Sequence, residues 1–184
     1  RVRWELFGPT ELAVSKQTWR VSGLDLRGPG EQSVRLELER RGPGLHADLW
    51  ISQLRLALLP AAWLPASVKP AGQVDAEVHV RGRLSDPVID AHLVLRHAEI
   101  EGLTDLSLSG HAHLLSRRIA GDLQMESGGA QLASRFDVPA AWPPPANSRL
   151  SLDVTALDLD LQWLKDRLAR DEVGLPPLAG LACL

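Results

Sequence analysis

The stretch PAGQVDAEVHVRGRLSDPVIDAHLVLR, residues 70–96, decides the fold that the sequence predicts. It holds two runs, at residues 74–80 and 89–95, in which every second residue is apolar. Because successive side chains of a strand point to opposite faces, each run predicts a strand with one apolar and one polar face. Between the runs, Gly82 and the Ser-Asp-Pro triplet at residues 85–87 are typical of a turn.

The same alternation recurs along most of the chain. Gly23 predicts a bulge, and Gly128-Gly129 predicts a tight hairpin between two strands. After Ile51 the alternation shifts by one residue and is expected to continue as strand through Leu54, Leu56 and Leu58. Further alternating segments lie at residues 34–38, 45–51, 106–114, 119–125, 130–138 and 150–161. An all-β fold follows from this pattern.

Near the end of the sequence the pattern changes. Leucines recur at helical spacing after residue 160, which predicts one short helix over residues 162–170. We therefore divide the chain into a β region, residues 1–161, and a segment, residues 162–184, that holds the helix and begins another unit. Because the sequence opens at Arg1 and stops in an apolar segment, we expect it to be part of a longer chain.

The predicted strands expose more apolar surface than one short helix can cover. The sheet could close into a sandwich or barrel, stack as a solenoid, or curl into an open trough that holds an apolar guest. Burying a methylene is worth roughly 0.8 kcal/mol, so an acyl chain of about 16 carbons gains on the order of 12 kcal/mol before association costs. The alternation itself does not separate a self-filled core from a trough.

Composition argues against several classes of partner. The net charge is −3, so the chain lacks the net positive charge typical of a nucleic-acid-binding protein. Aromatic residues make up only 4%, too few for a stacking platform that binds sugars or single strands. The longest uncharged run, residues 56–68, is shorter than the roughly 20 apolar residues of a membrane-spanning helix.

The sequence offers no catalytic constellation, and we expect neither an enzyme nor a cofactor. His111 and His113 share a strand face, but no cysteine or carboxylate lies beside them at ligand spacing, so no metal site is predicted. Asp158 and Asp160 are expected on a solvated face. Cys183 has no histidine near it in the sequence, so we expect it to be buried and to pack in the interior rather than to react. Two tryptophans, Trp63 and Trp163, are expected to pack on the adjacent loop and helix.

The order of features from residue 70 to residue 115 resembles a known family. A strand, Gly82, Leu84, Pro87, a second strand and then the segment LSLSG at residues 106–110 are similar to the repeating unit of the TamB family, relatives of the AsmA-like proteins. The predicted helix followed by Pro177 and Gly180 looks like the transition between units of that family. The resemblance covers about two-thirds of the chain.

The resemblance implies a curved, elongated antiparallel sheet, an open β-trough that crosses the periplasm. Such proteins are attached to the inner membrane by an N-terminal anchor that this sequence does not contain. They carry phospholipid between the inner and outer membranes and support outer-membrane assembly with a barrel partner. Carried over to this chain, the residues that line the lipid groove are Val74, Ala76, Val78, Val80, Ile89, Ala91, Leu93, Leu95, Leu106, Leu108, Leu123, Met125, Leu132 and Phe136.

Two other functions remain open at this stage. A self-filled sandwich or solenoid would make the chain a structural or adhesive module of a surface protein. An accessory sugar-binding domain of an enzyme would need aromatic residues grouped on one exposed face, which the sequence scarcely supplies. The phospholipid-carrying trough, with no nucleic-acid partner, is the hypothesis that we adopt.

Overall fold

A computed structural model describes residues 3–58, 68–69, 71–100, 103–141 and 149–157. These residues form twelve strands and one short 3₁₀ turn, Leu56–Leu58. The strands are β1 (Glu5–Leu6), β2 (Glu11–Val14), β3 (Thr18–Arg27), β4 (Ser33–Arg41), β5 (Gly44–Arg55), β6 (Val68–Lys69), β7 (Gln73–Arg83), β8 (Asp86–Ile100), β9 (Leu103–Leu115), β10 (Arg118–Ser127), β11 (Ala130–Pro139) and β12 (Ser151–Leu157).

All twelve strands belong to one antiparallel sheet. Its order is β1-β3-β4-β5-β7-β8-β9-β10-β11-β12, with β2 also paired to β3 and β6 to β8. Among the described strands β12 pairs only with β11, so the sheet does not close on itself. The predicted all-β class and open antiparallel sheet are confirmed. The predicted helix at residues 162–170 and the boundary at residue 161 lie outside the described residues.

Local turn chemistry explains how the strands connect. Gly128 and Gly129 have φ angles of +59° and +90° and join β10 to β11, with Ser127 paired to Ala130. Two consecutive positive φ angles are those of a type I′ turn, whose twist matches that of the flanking strands. The predicted hairpin is confirmed.

Two predicted irregularities are also confirmed. The register of β3 against β4 shifts between Val21 and Leu24, at Gly23, whose φ is +71°. The register of β5 against β7 shifts between Ile51 and Leu54, and Gln53 there has a φ of +50°. Each bulge adds one residue to a strand and so restores the apolar residues to a single face.

Two local predictions were wrong. Leu56 and Leu58 do not extend β5 but form the 3₁₀ turn, in which the Leu56 amide donates to the Gly72 carbonyl at 3.1 Å. The turn between β7 and β8 is Leu84-Ser85 alone, because Gly82 and Pro87 pair with each other inside the ladder. Gly82 has a φ of +103°, a conformation that suits glycine and lets the strand bend at that pairing.

The packed interior is small. Leu56, Ala98 and Leu106 are the buried hydrophobic residues of the described part, and Val74, Leu95 and Met125 pack against them. No helix in that part is long and apolar enough to span a membrane. The fold is therefore a single layer, in which most apolar side chains touch only neighbours on their own face.

Candidate apolar binding face

The register of the ladders places the apolar residues of successive strands side by side. Val78 of β7 pairs with Leu49 of β5 and Ala91 of β8, and Ala91 pairs in turn with Ala112 of β9. Antiparallel partners point to the same face, so apolarity passes from strand to strand. One such row consists of Leu24, Leu36, Leu49, Val78, Ala91, Ala112, Gly121, Phe136 and Leu152. We call the side of the sheet that holds this row the apolar face.

Every residue predicted to line a lipid groove lies on the apolar face. They are Val74, Ala76, Val78 and Val80 of β7, Ile89, Ala91, Leu93 and Leu95 of β8, Leu106 and Leu108 of β9, Leu123 and Met125 of β10, and Leu132 and Phe136 of β11. They differ in accessibility. Leu93 is 40% exposed, whereas Leu106 is 1% exposed and belongs to the packed cluster, so it offers no surface to a guest.

The apolar face extends well beyond the predicted lining. Its alternating residues were visible strand by strand, but only the pairing register shows that they share one side of the sheet. The additional residues are Leu6, Leu12, Val14, Trp19, Val21, Leu24, Leu26, Val34, Leu36, Leu38, Leu45, Ala47, Leu49, Ile51, Leu54, Ala112, Leu114, Ile119, Ala130, Val138, Leu152, Val154 and Ala156.

The apolar face is not covered by the described part of the chain. Near its two ends, large side chains such as Leu12 and Leu152 are 72% and 68% exposed, and most central positions are only half-buried. Within that part there is no second sheet to fill the space above it. A soluble protein rarely exposes a contiguous apolar surface of this extent unless something binds there.

Side chains crowd together across strands on the apolar face. A Cβ atom added to Gly121 would lie 2.8 Å from Cζ of Phe136, and one added to Gly110 would lie 3.0 Å from Cδ1 of Leu123. The larger side chains therefore lie over these glycines. At one end of the strands, Leu56 reaches over the same face to the buried cluster. Both features are local packing between side chains on the apolar face.

The opposite side, the polar face, carries a network of histidines and carboxylates. His79 Nδ1 lies 2.5 Å from Asp48 Oδ1, and its Nε2 lies 2.9 Å from Glu77 Oε1. His46 reaches the other oxygen of Asp48 at 2.7 Å, and Trp50 donates to Glu77 at 3.0 Å. The network ties β5 to β7.

These contacts shift the pKa values of the groups involved. The hydrogen bond to Asp48, followed by that to Glu77, raises the pKa of His79 above its usual value. Burial opposes ionisation of Asp48, yet the hydrogen bonds from His79 and His46 prevail and lower its pKa. The hydrogen bonds from His79 and Trp50 lower the pKa of Glu77.

A second group of the same kind lies on β8 and β9. His113 Nδ1 is 2.5 Å from Asp90 Oδ1, and His111 Nε2 is 4.0 Å from the same oxygen. The hydrogen bond from His113 lowers the pKa of Asp90. Asp90 carried no signal in the sequence, because it lies 23 residues from His113 and only the strand pairing brings the two side chains together. Within the described ranges, no group of three or more histidine, cysteine, aspartate or glutamate side chains could hold a metal ion.

Cavities of moderate size open on the polar face. One of about 490 Å³ crosses strands β8 to β12. On each of β8 to β11 it is lined by two polar-face residues, such as Ser107 and Ser109, and the apolar-face residue between them, such as Leu108, and on β12 by polar-face residues alone. Its floor is therefore the backbone between two rows of polar side chains. Asp158, Asp160, Trp63, Trp163 and Cys183 lie outside the described residues.

Comparison with known proteins yields no relative. No family model, no curated protein and no solved structure matches this chain. What the arrangement can do therefore follows from its own geometry: one side of the sheet offers continuous apolar contact, and the other offers paired charges to water.

Proposed function

We propose that this chain is a segment of a periplasmic bridge protein that carries the acyl chains of phospholipids along its apolar face, between the inner and outer membranes. The observation that carries the proposal is the continuity of the apolar face across the sheet, together with its exposure. A dry core would bury these side chains, whereas a carrier needs them accessible.

The dimensions of the apolar face suit an acyl chain. From Val80 to Val74 the strand advances by six residues, about 20 Å at 3.4 Å per residue. Half of a bilayer's hydrocarbon core is about 15 Å thick, which is the reach of one acyl chain. A chain laid along the strands would thus find apolar side chains over its whole length.

Movement along the sheet needs no local chemistry in this proposal. Neighbouring cross-strand rows are built from similar aliphatic residues, so an acyl chain has nearly equal free energy at successive positions. Lipid would pass across the strands by thermal motion, with the apolar side of the sheet curved into an open trough.

The location and partners in this proposal come from the resemblance to the TamB and AsmA-like proteins. Membrane contact would be made through an N-terminal anchor outside this sequence, and outer-membrane assembly would be supported through a barrel assembly partner that binds other regions. Within the described residues the apolar face is uncovered, which favours this function over a self-filled adhesive or structural module, because a module of that kind would fill the face with its own side chains.

Mass spectrometry under native conditions tests the proposal on the purified chain. We expect phospholipid to be retained by the parent and lost by Val78→Asp and Leu93→Asp, which place a carboxylate on the apolar face. Ser109→Asp adds the same charge to the polar face and should retain lipid. Equal lipid content in the parent and in both apolar-face variants would refute acyl-chain binding to this face.

A further inference from the structure

The hairpin turns at one edge of the sheet collect positive charge. The turns β4–β5, β7–β8 and β9–β10 lie side by side there, since Gly44 pairs with Arg83 and Ile89 with Leu114. We call this edge, residues 15–18, 40–44, 82–87, 115–118, 139–141 and 149, the basic rim. Its cations are Lys16, Arg40, Arg41, Arg83, Arg117, Arg118 and Arg149.

Most of this charge is uncompensated. Asp86 is the carboxylate of the basic rim, while Arg41 pairs with Glu39 at 2.6 Å and Arg118 with Asp137 at 2.8 Å just inside it. The other five cations have no ion pair in the described part of the chain. The sequence as a whole has a net charge of −3, so the positive rim is a local feature of the fold.

The opposite edge of the sheet differs in character. Its described cations are balanced by carboxylates at the neighbouring strand ends. The cations there are Arg3, Arg27, Arg55, Lys69 and Arg96, and the carboxylates are Glu5, Glu31, Glu99, Asp105 and Glu126. Among the described residues, an anionic group brought to the sheet would therefore be attracted more strongly to the basic rim than to the opposite edge.

The basic rim meets the apolar face directly. Arg40 pairs in register with Trp19 and with Leu45, so its side chain lies on the apolar face, and its guanidinium is 5.4 Å from the Trp19 ring centroid. Leu84 and Leu115, at two of the turns, are 55% and 50% exposed. Tryptophan, arginine and exposed leucine together are typical of the boundary between hydrocarbon and headgroups.

We propose that the basic rim binds the phosphate of a phospholipid headgroup while the acyl chain of the same molecule lies along the strands of the apolar face. This inference rests on the proposed function and adds to it an orientation and a selectivity. Headgroups point to the rim rather than to the opposite edge, and lipids with net negative charge bind more tightly than uncharged lipids with the same acyl chain.

Two lipids with one oleoyl chain each distinguish binding of the phosphate at the basic rim from binding of the acyl chain along the apolar face. The probes are lysophosphatidylglycerol, which has a phosphate, and monooleoylglycerol, which has none, each titrated below the concentration at which it aggregates, with tryptophan fluorescence as the readout. We expect the parent to bind the phosphorylated lipid about tenfold more tightly, since each cation near an anionic headgroup strengthens binding several-fold.

Charge reversal at two turn tips should remove this preference. Arg83→Glu combined with Arg117→Glu changes exposed residues without ion pairs and should weaken lysophosphatidylglycerol binding about tenfold. Binding of monooleoylglycerol should stay within about threefold of the parent, because apolar burial does not depend on the charge of the rim. Arg3→Glu with Arg55→Glu makes the same change in net charge at the opposite edge and should preserve the preference.

Each outcome has a distinct meaning. If the parent binds both lipids equally, or the rim variant keeps the preference, the rim inference is wrong and the apolar face still binds lipid. If the parent binds neither lipid, the proposed function fails with it. Inorganic phosphate should not displace lysophosphatidylglycerol; displacement would show a site for free anions and would overturn the assignment to a headgroup.

Discussion

Among single residues, His79 links carboxylates of two neighbouring strands on the polar face. It contacts Asp48 on β5 and Glu77 on its own strand, and the charge of Asp90 on β8 also lies near it. Its environment is therefore predominantly acidic, although Arg81 approaches Asp48 at 4.0 Å. Protonated His79 neutralises carboxylates that would otherwise repel one another across neighbouring strands.

The raised pKa of His79 predicts a pH-dependent stability. The stabilising contribution is fully present below the unfolded-state pKa of about 6.5 and is lost as the pH rises through the higher pKa of the folded state. We therefore expect the free energy of unfolding, measured by urea denaturation, to fall as the pH rises above about 6.5.

A substitution isolates this effect. His79→Gln cannot become charged, so its unfolding free energy should vary less over that range than the parent's. The lowered pKa values of Asp48, Glu77 and Asp90 act in the opposite direction, since their contribution is present above about pH 4 and is lost on further acidification. If the unfolding free energies of the parent and His79→Gln change equally with pH between pH 6 and pH 8, protonation of His79 is not coupled to folding.

Gly121 is required by crowding rather than by backbone conformation. An added Cβ would meet the His111 carbonyl and the Phe136 ring, so we expect Gly121→Ala to destabilise the chain by about 1–3 kcal/mol. Ala133→Ser, an exposed position on the polar face of the neighbouring strand, should change the unfolding free energy by less than about 0.5 kcal/mol. Unfolding curves for Gly121→Ala that overlay the parent's would contradict the packing described for this face.

At the scale of elements, alternation in the sequence predicted most strands and the positions of two bulges. It failed at residues 56–58, where the alternating leucines continue but the backbone closes a turn onto Gly72. Periodicity identifies the face of a side chain only while the chain stays extended. Which residues of different strands become partners, as with Asp90 and His113, depends on ladder register and had no sequence signal.

The difference between packed and open positions on one face gives a second stability test. Leu106 is 1% exposed, so Leu106→Ala should cost about 2–5 kcal/mol through the cavity that it leaves. Leu93 is 40% exposed, and Leu93→Ala should cost less than about 1 kcal/mol. Thermal or urea unfolding of the two variants measures this difference, and equal losses would mean that Leu93 is packed as tightly as Leu106.

At the scale of the whole molecule, the fold class and the separation of apolar from polar side chains were predictable, because each strand carries both signals. The extent of the apolar face was not predictable from the sequence. It depends on ten strands being joined in one ladder path with a consistent register, which no single strand encodes. The basic rim was hidden for the same reason, since its arginines come from turns far apart in the sequence.

The central claim is that the apolar face stays open and carries acyl chains, and a pair of adjacent residues tests it most directly. Leu93 and His92 are both exposed but point to opposite faces. A photoreactive amino acid at position 93 should crosslink phospholipid in membrane-containing extracts, and the same amino acid at position 92 should not. Equal crosslinking to phospholipid at the two positions, or no crosslinking at position 93, would contradict the claim that the apolar face carries acyl chains.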